Sequence, residues 1–502
     1  MLLKGECTAA VRLVYDLPSL RLVLGLSRER NCIEGRAGRL EAVVQLDIVS
    51  ADVEESLLGE ALASILLLKP VCIEGDKNVY DELLARYVAR LFREEVSRLK
   101  RLFHKSYERL QVADIYPVVA RMARLQRIYP WLRTVYGNAL RRGDYYTWLR
   151  GVVQDVALHE LGASGVWLPA KLVDSGPGQK LRLVQQLGGA PKVAQLLGNI
   201  ASQVSLSLLQ AIPQTLLIES ISRKPHPLTR DPLLLVRLDA ARIATKLIRF
   251  EDQLYAITGV KRLLRSVKLS RKGIIRSVRT VEAGGFRPAV VKRYIDITAV
   301  KWLAASIASL PLPRPRLRAL ARLNAEYYYN RLLEERGFNV PQPLLIDPRR
   351  RQAAYSYIEG VDLVAILQRE SLPEPYREAG RLLARLHSSG VALWDANPSN
   401  FVYDGKRLYV VDLEQAREIN GIQDAAWDVA VACYYSLLYA PHNGPERARM
   451  IASGYLEAGG NREVLLEAAK HKYMVPFLAA VPPNVLEKTR RVILAAASSG
   501  EN

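Results

Sequence analysis

Short apolar stretches rich in β-branched residues recur over residues 1–75, as in Val11–Val14, Leu22–Leu24 and Ala42–Val49. Gly35, Gly38 and Gly75 punctuate them. This pattern predicts a small β-rich or α+β module, because short apolar runs between turn residues fit strands better than helices. From about Val79 to Leu149 the apolar positions take helical spacing, as in Leu83, Leu84, Val88, Leu91 and Phe92, with charge on the opposite side. Further helices are expected over 151–162, 189–220 and 232–250, with a break at Pro225, Pro227 and Pro232. No repeat of solenoid length is visible.

Near residue 262 the pattern changes. Leu263–Ser270, Ile274–Glu282 and Ala289–Tyr294 read as successive strands, with turns at Lys272-Gly273 and Ala283-Gly284-Gly285. Helices are expected at about 298–309 and 316–336, then strands at Leu344–Asp347 and Ala353–Ile358. Beyond Gly360 the chain reads as helical except around 391–412. The expected organisation is α+β in four parts. These are a β-rich module (1–75), a mainly helical region (76–250), a strand-led region (251–360) and a helical one (361–502).

Composition narrows the class. The chain has 502 residues, 49% hydrophobic and 24% charged, which is globular usage and length enough for several cores. Cys7, Cys32, Cys72 and Cys433 form no C-x-x-C pair, so a disulfide framework or zinc module is not expected. Lys4 and Glu6 interrupt the first apolar run, which speaks against a secretory leader. Val193–Ile218 carries no charge, but Gln195, Asn199, Ser202, Gln203, Ser205, Ser207, Gln210 and Gln214 would make a membrane span costly. A buried or partner-packed helix is expected there, in a soluble, cytoplasmic protein.

Chemistry gathers in the C-terminal half. Lys292 ends the apolar run Ala289-Val290-Val291, and Glu326 sits on the second expected helix. Asp395 and Asn400 share one loop, and Asp412 follows the run Leu408-Tyr409-Val410-Val411. Each alone could be a solvated strand end, a surface acid or a turn residue. Together they suit phosphoryl transfer from ATP. Lys292 can hold phosphate charge if Glu326 orients it, and Asn400 and Asp412 offer hard oxygens to Mg²⁺. Asp395 can orient the attacking hydroxyl and accept its proton.

The order of these pieces resembles the protein-kinase-like superfamily. The likeness is to its atypical members: the KEOPS-complex kinase subunit, the RIO kinases, and the aminoglycoside and choline phosphotransferases. Arg322-x-x-x-Glu326 followed by Gly337-Phe338-Asn339-Val340-Pro341 is similar to their small-lobe helix and the turn after it. Leu386-His387-x-x-Gly390 resembles the lead into their catalytic loop, and Trp427-Asp428-Val429-Ala430 their loop-bracing aspartate. The resemblance covers about 262–440. It implies a two-lobed kinase-like domain, with the hinge Tyr357-Ile358-Glu359 holding adenine and Gly273 in the phosphate hairpin. It implies ATP and Mg²⁺ as cofactors, and a protein serine or threonine, or a small-molecule hydroxyl, as acceptor. Leu393 and Trp394 stand where relatives carry other residues, Asp-Leu-Glu replaces Asp-Phe-Gly, and no G-x-G-x-x-G is present. A nucleotide-binding pseudokinase or an RNA-associated adaptor therefore stays open.

The net charge of +20 concentrates in part here. Lys261, Arg262, Arg265, Lys268, Arg271, Lys272, Arg276 and Arg279 form one acid-free run, and Arg314, Arg316, Arg318 and Arg322 lie in another. These read either as a solvated face of an Arg-rich, thermophile-like chain or as a platform for RNA or another polyanion.

Overall fold

The computed structural model describes residues 9–17, 20–28, 32–36, 39–161, 165–171, 214–259, 265–268, 278–283, 286–296, 315–368 and 373–498. They form two compact units. The first comprises residues up to 101, 108–239 and 245–247; the second comprises 102–107, 240–244 and 248 onward.

In the first unit, β1 (Val11–Leu17), β2 (Leu20–Ser27), β3 (Cys32–Arg36), β4 (Arg39–Gln45) and β5 (Cys72–Gly75) form one sheet, ordered β3-β4-β2-β1-β5. Val11, Leu13, Leu24 and Leu26 are fully buried on it, so the apolar runs do make strands. Helices Lys77–Phe103, Tyr116–Ile128 and Gly143–Leu161 follow. Their interior includes a buried ionic cluster. The Arg121 guanidinium meets Glu60, Glu94 and Glu95, and Arg90 meets Glu60 at 2.6 Å. Buried charges survive only in such mutual pairing.

The helix expected over 232–250 does not exist. Pro232–Leu235 is a single 3-10 turn, capped by the Asp231 carboxylate, which accepts from Leu233 N at 3.3 Å. The other Asp231 oxygen accepts from the Thr245 hydroxyl and Lys246 N, both at 2.8 Å, which folds the chain back. Between them Val236–Leu238 alternates buried, exposed, buried and adds a strand. With β6 (Leu110–Ala113) and β7 (Trp167–Pro169), this β8 makes a three-stranded sheet in the region expected to be helical. The period over 236–238 is two, not 3.6, and that decides it. A helix begins only at Phe250, with Glu251 and Asp252 in its first turn. Of the apolar 193–218 segment, residues 193–213 lie outside the described residues, and Gln214–Ser222 is helical. No described helix is long and apolar enough to cross a membrane.

The second unit opens with a sheet ordered β10-β11-β12-β14-β13-β9: Arg265–Lys268, Val278–Ala283, Phe286–Arg293, Gln352–Ser356, Pro343–Asp347 and Arg242–Ile243. All pairings are antiparallel except β13 with β9. The helix Ala319–Glu335 carries Glu326; the helix expected at 298–309 lies outside the described residues. After β14 the chain enters a helical body, Glu374–Ser388, Ile422–Tyr435, Gly444–Glu457 and Pro483–Ser498, around one large apolar core. Two of these helices cross backbone to backbone. A Cβ on Gly380 would lie 2.0 Å from Ile451 O, and one on Gly454 2.0 Å from Arg377 O, so only glycine fits at either. Small strands β15 (Val361–Asp362), β16 (Val391–Ala392), β17 (Phe401–Tyr403), β18 (Leu408–Val410) and β19 (Arg417–Glu418) line the edge of this body. A sheet-bearing part and a helical part give this unit a mixed α+β architecture.

Candidate active site

β12 and the Glu326 helix deliver the first pair. Lys292 lies opposite Ala353 of β14, so its position is fixed by a central strand. Its Nζ donates to Glu326 Oε1 at 2.6 Å, and the Tyr294 hydroxyl donates to Glu326 Oε2 at 2.5 Å. The Glu326 side chain is only 3% exposed. Burial works to lower the Lys292 pKa, but the negative charges of Asp412 and Glu326 outweigh it and raise it. Lys292 therefore stays an ammonium. Burial pushes Glu326 up, and Lys292 opposes that.

The second group comes from the edge strands. Pairing of β16 with β19 and of β17 with β18 folds 391–418 into one compact loop cluster. Val411 N donates to Asn400 O at 2.9 Å, which seats Asn400 beside Asp412. The Asn400 side-chain amide donates to Asp395 O at 2.9 Å, leaving its oxygen as an acceptor. Lys292 Nζ lies 3.3 Å from Asp412 Oδ1, an ion pair without hydrogen-bond alignment, since that buried oxygen accepts no hydrogen bond. Burial, then the charge of Asp412, push Asp395 up to about 7. A carboxyl so placed can take a proton near neutral pH.

Lys292, Glu326 and Asp412 are thus brought together, with Asp395 and Asn400 on the adjoining loop. Tyr357, Ile358 and Glu359 form the irregular link from β14 to β15, with Tyr357 N donating to Pro288 O of β12 at 3.4 Å. Gly273 lies outside the described residues.

Oxygens of Glu326, Asp412 and Glu414 lie within 4.8 Å of one another. Together with the orphaned Asp412 Oδ1 they form a hard, anionic donor set, which suits Mg²⁺. Glu414 also accepts from Arg322 at 2.7 Å, and burial pushes it up to about 8. The left-handed backbone in Asp-Leu-Glu falls on Asp412, with φ 64°, and Glu414 is spared it.

Trp394 is the residue whose role the sequence hides. It has φ 65°, a strained conformation for a bulky side chain. Asp428 holds it there, accepting from Leu393 N and Trp394 N, both at 2.6 Å. Trp427 Nε1 donates to Trp394 O at 3.0 Å, and the Arg417 guanidinium stacks 3.8 Å over the Trp394 ring. His387, the histidine of Leu-His-x-x-Gly, meets Asp428 at 3.3 Å. Tyr435 and Tyr439 sit beside this loop; burial and the Asp395 charge push the Tyr435 hydroxyl up to about 12.

Two of the three described arginines of the second basic run turn inward rather than to solvent. Arg322 is buried against Glu414 and Ile295 O. Arg316 donates to Gln415 O at 2.8 Å and Ala416 O at 2.6 Å, pinning the segment after Asp412. Only Arg318 of the described three is exposed; Arg314 and the side chains of the first run lie outside the described residues. Those partners came from 99 and 100 positions away, so spacing held no hint of them. Arg316→Ala is expected to destabilise by about 1–3 kcal/mol, since it strips charged donors from buried carbonyls. Arg318→Ala should stay within about 0.5 kcal/mol. Denaturant midpoints of the two variants check this.

Residues 266–393 match the phosphotransferase enzyme family. The chain is 31% identical over 134 residues to the probable serine/threonine-protein kinase BUD32 homolog of Archaeoglobus fulgidus, covering 26% of this chain and 66% of that protein. It is 31% identical over 133 residues to a probable bifunctional tRNA threonylcarbamoyladenosine biosynthesis protein of Methanosarcina acetivorans, 26% of this chain and 22% of that one. A 3-deoxy-D-manno-octulosonic acid kinase of Vibrio vulnificus is 31% identical over 100 residues, 18% of this chain and 42% of its own length. The chain therefore spans less than two thirds of each. The family match spans Lys292 and Glu326 and ends two residues before Asp395. Over that stretch, the chain is similar to phosphotransferases of the protein-kinase-like superfamily, in its atypical-kinase branch.

Proposed function

We propose that this protein is an ATP-dependent phosphotransferase that moves the γ-phosphate to a hydroxyl, with a protein serine or threonine favoured over a small molecule. One observation carries the reading: the Lys292 ammonium is held between Glu326 at 2.6 Å and Asp412 at 3.3 Å. That arrangement presents a fixed cation where phosphate charge must be held. Lys292 would bind phosphate oxygens, with Glu326 fixing its direction. Asp412 and the Asn400 amide oxygen would hold Mg²⁺, and Glu414 is near enough to join them. When bound, the metal would neutralise charge on the phosphates. Asp395 would orient the acceptor hydroxyl and take its proton as oxygen bonds to the γ-phosphorus and the bond to the leaving ADP breaks. Tyr357, Ile358 and Glu359 would present backbone to adenine.

We take 251–360 as the smaller lobe and 361–502 as the larger, with 1–75 and 76–250 as modules without an assigned role. The preference for a protein acceptor leans on the relative named as a serine/threonine kinase; the sugar-acid kinase keeps the small-molecule acceptor as the alternative. ATP as substrate and the unpaired Cys72 and Cys433 suit the cytoplasm.

Saturating Mg-ATP is expected to raise the melting temperature of the full chain. Occupancy a hundredfold above Kd adds about 2.7 kcal/mol to the folded state. Calorimetric scans with and without nucleotide check it, and no shift at millimolar Mg-ATP removes the reading. Incubation with labelled ATP and Mg²⁺, alone and with cell extract, then decides the acceptor class by where the label appears. Binding without any transfer would make the protein a pseudokinase scaffold.

A further inference from the structure

The Glu326 helix is gripped on two faces. Successive residues of a helix turn by about 100°, so Arg322 and Glu326 share one side while Asn324 and Tyr328 share nearly the opposite one. The first side meets Glu414 and Lys292. The second meets residues 102–107, a piece of the N-terminal half that belongs to the second unit.

The contacts there are specific. The buried Ser106 hydroxyl donates to Asn324 O at 2.8 Å, and the Asn324 amide donates to Leu102 O at 3.2 Å and Leu320 O at 2.8 Å. Lys105 Nζ lies 4.8 Å over the Tyr328 ring and 3.2 Å from Glu418 of β19. β19 pairs with β16, the strand that runs into the Asp395 loop. Residues 102–107 therefore touch both the helix carrying Glu326 and the strand beside the catalytic loop. Phe103, Ser106 and Tyr107 are buried, and His104 takes a left-handed φ of 41° to make the turn. A non-glycine residue in that conformation is strained, and the surrounding contacts must hold it.

We propose that residues 102–107, a segment drawn from the N-terminal half of the chain, position the Glu326 helix for phosphoryl transfer. The inference rests on the phosphotransferase reading above. None of these residues reaches the reacting atoms; they act through Glu326 and through β19.

The test is the full-length Ser106→Ala/Asn324→Ala double variant, with single-turnover transfer normalised to Mg-ATP-binding sites. Transfer per site should fall about tenfold or more while Mg-ATP affinity changes less than about threefold, because small misplacement of a catalytic group costs rate more than binding. A role in folding alone would lower melting temperature and yield but leave the rate per binding site unchanged, and that result overturns the proposal. If the double variant does not fold, Lys105→Glu replaces it. It should slow transfer, and Glu418→Lys added to it should restore the rate; failure of that swap also overturns the proposal. If the wild type binds Mg-ATP and never transfers phosphate, the phosphotransferase reading falls on its own. Amide hydrogen exchange over 319–335 then decides the grip: faster exchange in the variant supports it, and unchanged exchange overturns it.

Discussion

Asp395→Asn lowers single-turnover phosphoryl transfer by about 10²–10⁴-fold and leaves Mg-ATP affinity at the wild-type value. The expected loss corresponds to roughly 3–5 kcal/mol of barrier. Asparagine keeps the size of the side chain and one acceptor oxygen, but it cannot take the hydroxyl proton. The hydrogen bond from the Asn400 amide goes to the backbone oxygen of residue 395, so the loop keeps its shape in the variant. Asp412 behaves differently because it faces Lys292 and offers an oxygen with no hydrogen-bond donor. Asp412→Ala should lose magnesium-dependent nucleotide binding and transfer together. Calorimetric affinity and single-turnover transfer, measured for both variants, separate the two roles. Transfer by Asp395→Asn at the wild-type rate would remove Asp395 from the chemistry.

Much of the second unit was legible because its signals are local or ordered. A lysine ending an apolar strand, a helix acid, an Asp–Asn loop and a strand-end aspartate come in one sequence, and their separation by regular elements survives folding. The strands of the β10–β14 sheet follow from apolar runs bounded by turns, and the Glu326 helix falls within about three residues of its expected ends. What escaped depended on distant partners. Arg316 and Arg322 look like surface charge until Gln415, Ala416 and Glu414, more than 90 positions later, come to meet them. Ser106 meets Asn324 across 218 positions, and no spacing rule reaches that far. In the first unit, Arg90 and Arg121 are ordinary charged residues of helical sequence and Glu60 a turn residue, yet they close into a buried cluster. The misread helix over 232–250 had a different cause. Its apolar content was right, but Asp231 and the two-residue period at 236–238 turned it into a strand.

Asp428→Ala is expected to remove both stability and activity, in contrast to the clean catalytic loss at Asp395. The Asp428 carboxylate is completely buried and is the acceptor for the backbone N–H groups of Leu393 and Trp394. Alanine leaves both donors without a partner, at about 1–3 kcal/mol each. It also releases the residue that holds Trp394 at its left-handed φ of 65°, a conformation that costs an L-residue roughly 1–2 kcal/mol. Once freed, Trp394 can relax toward an ordinary backbone, and Asp395, the next residue in the chain, turns with it. The Trp427 hydrogen bond to Trp394 O and the Arg417 stack depend on the same geometry, so the losses should come together. A destabilisation of about 3–5 kcal/mol is expected, with transfer per folded molecule reduced at least as far as in Asp395→Asn. Asp428→Asn should fall between, since its one remaining oxygen can serve only one of the two N–H groups well. Denaturant unfolding gives the stability, and transfer normalised to nucleotide-binding sites gives the activity. Asp428→Ala with wild-type stability would mean that the loop does not need this brace. Full transfer by a destabilised Asp428→Ala would mean that Trp394 holds Asp395 in place without it.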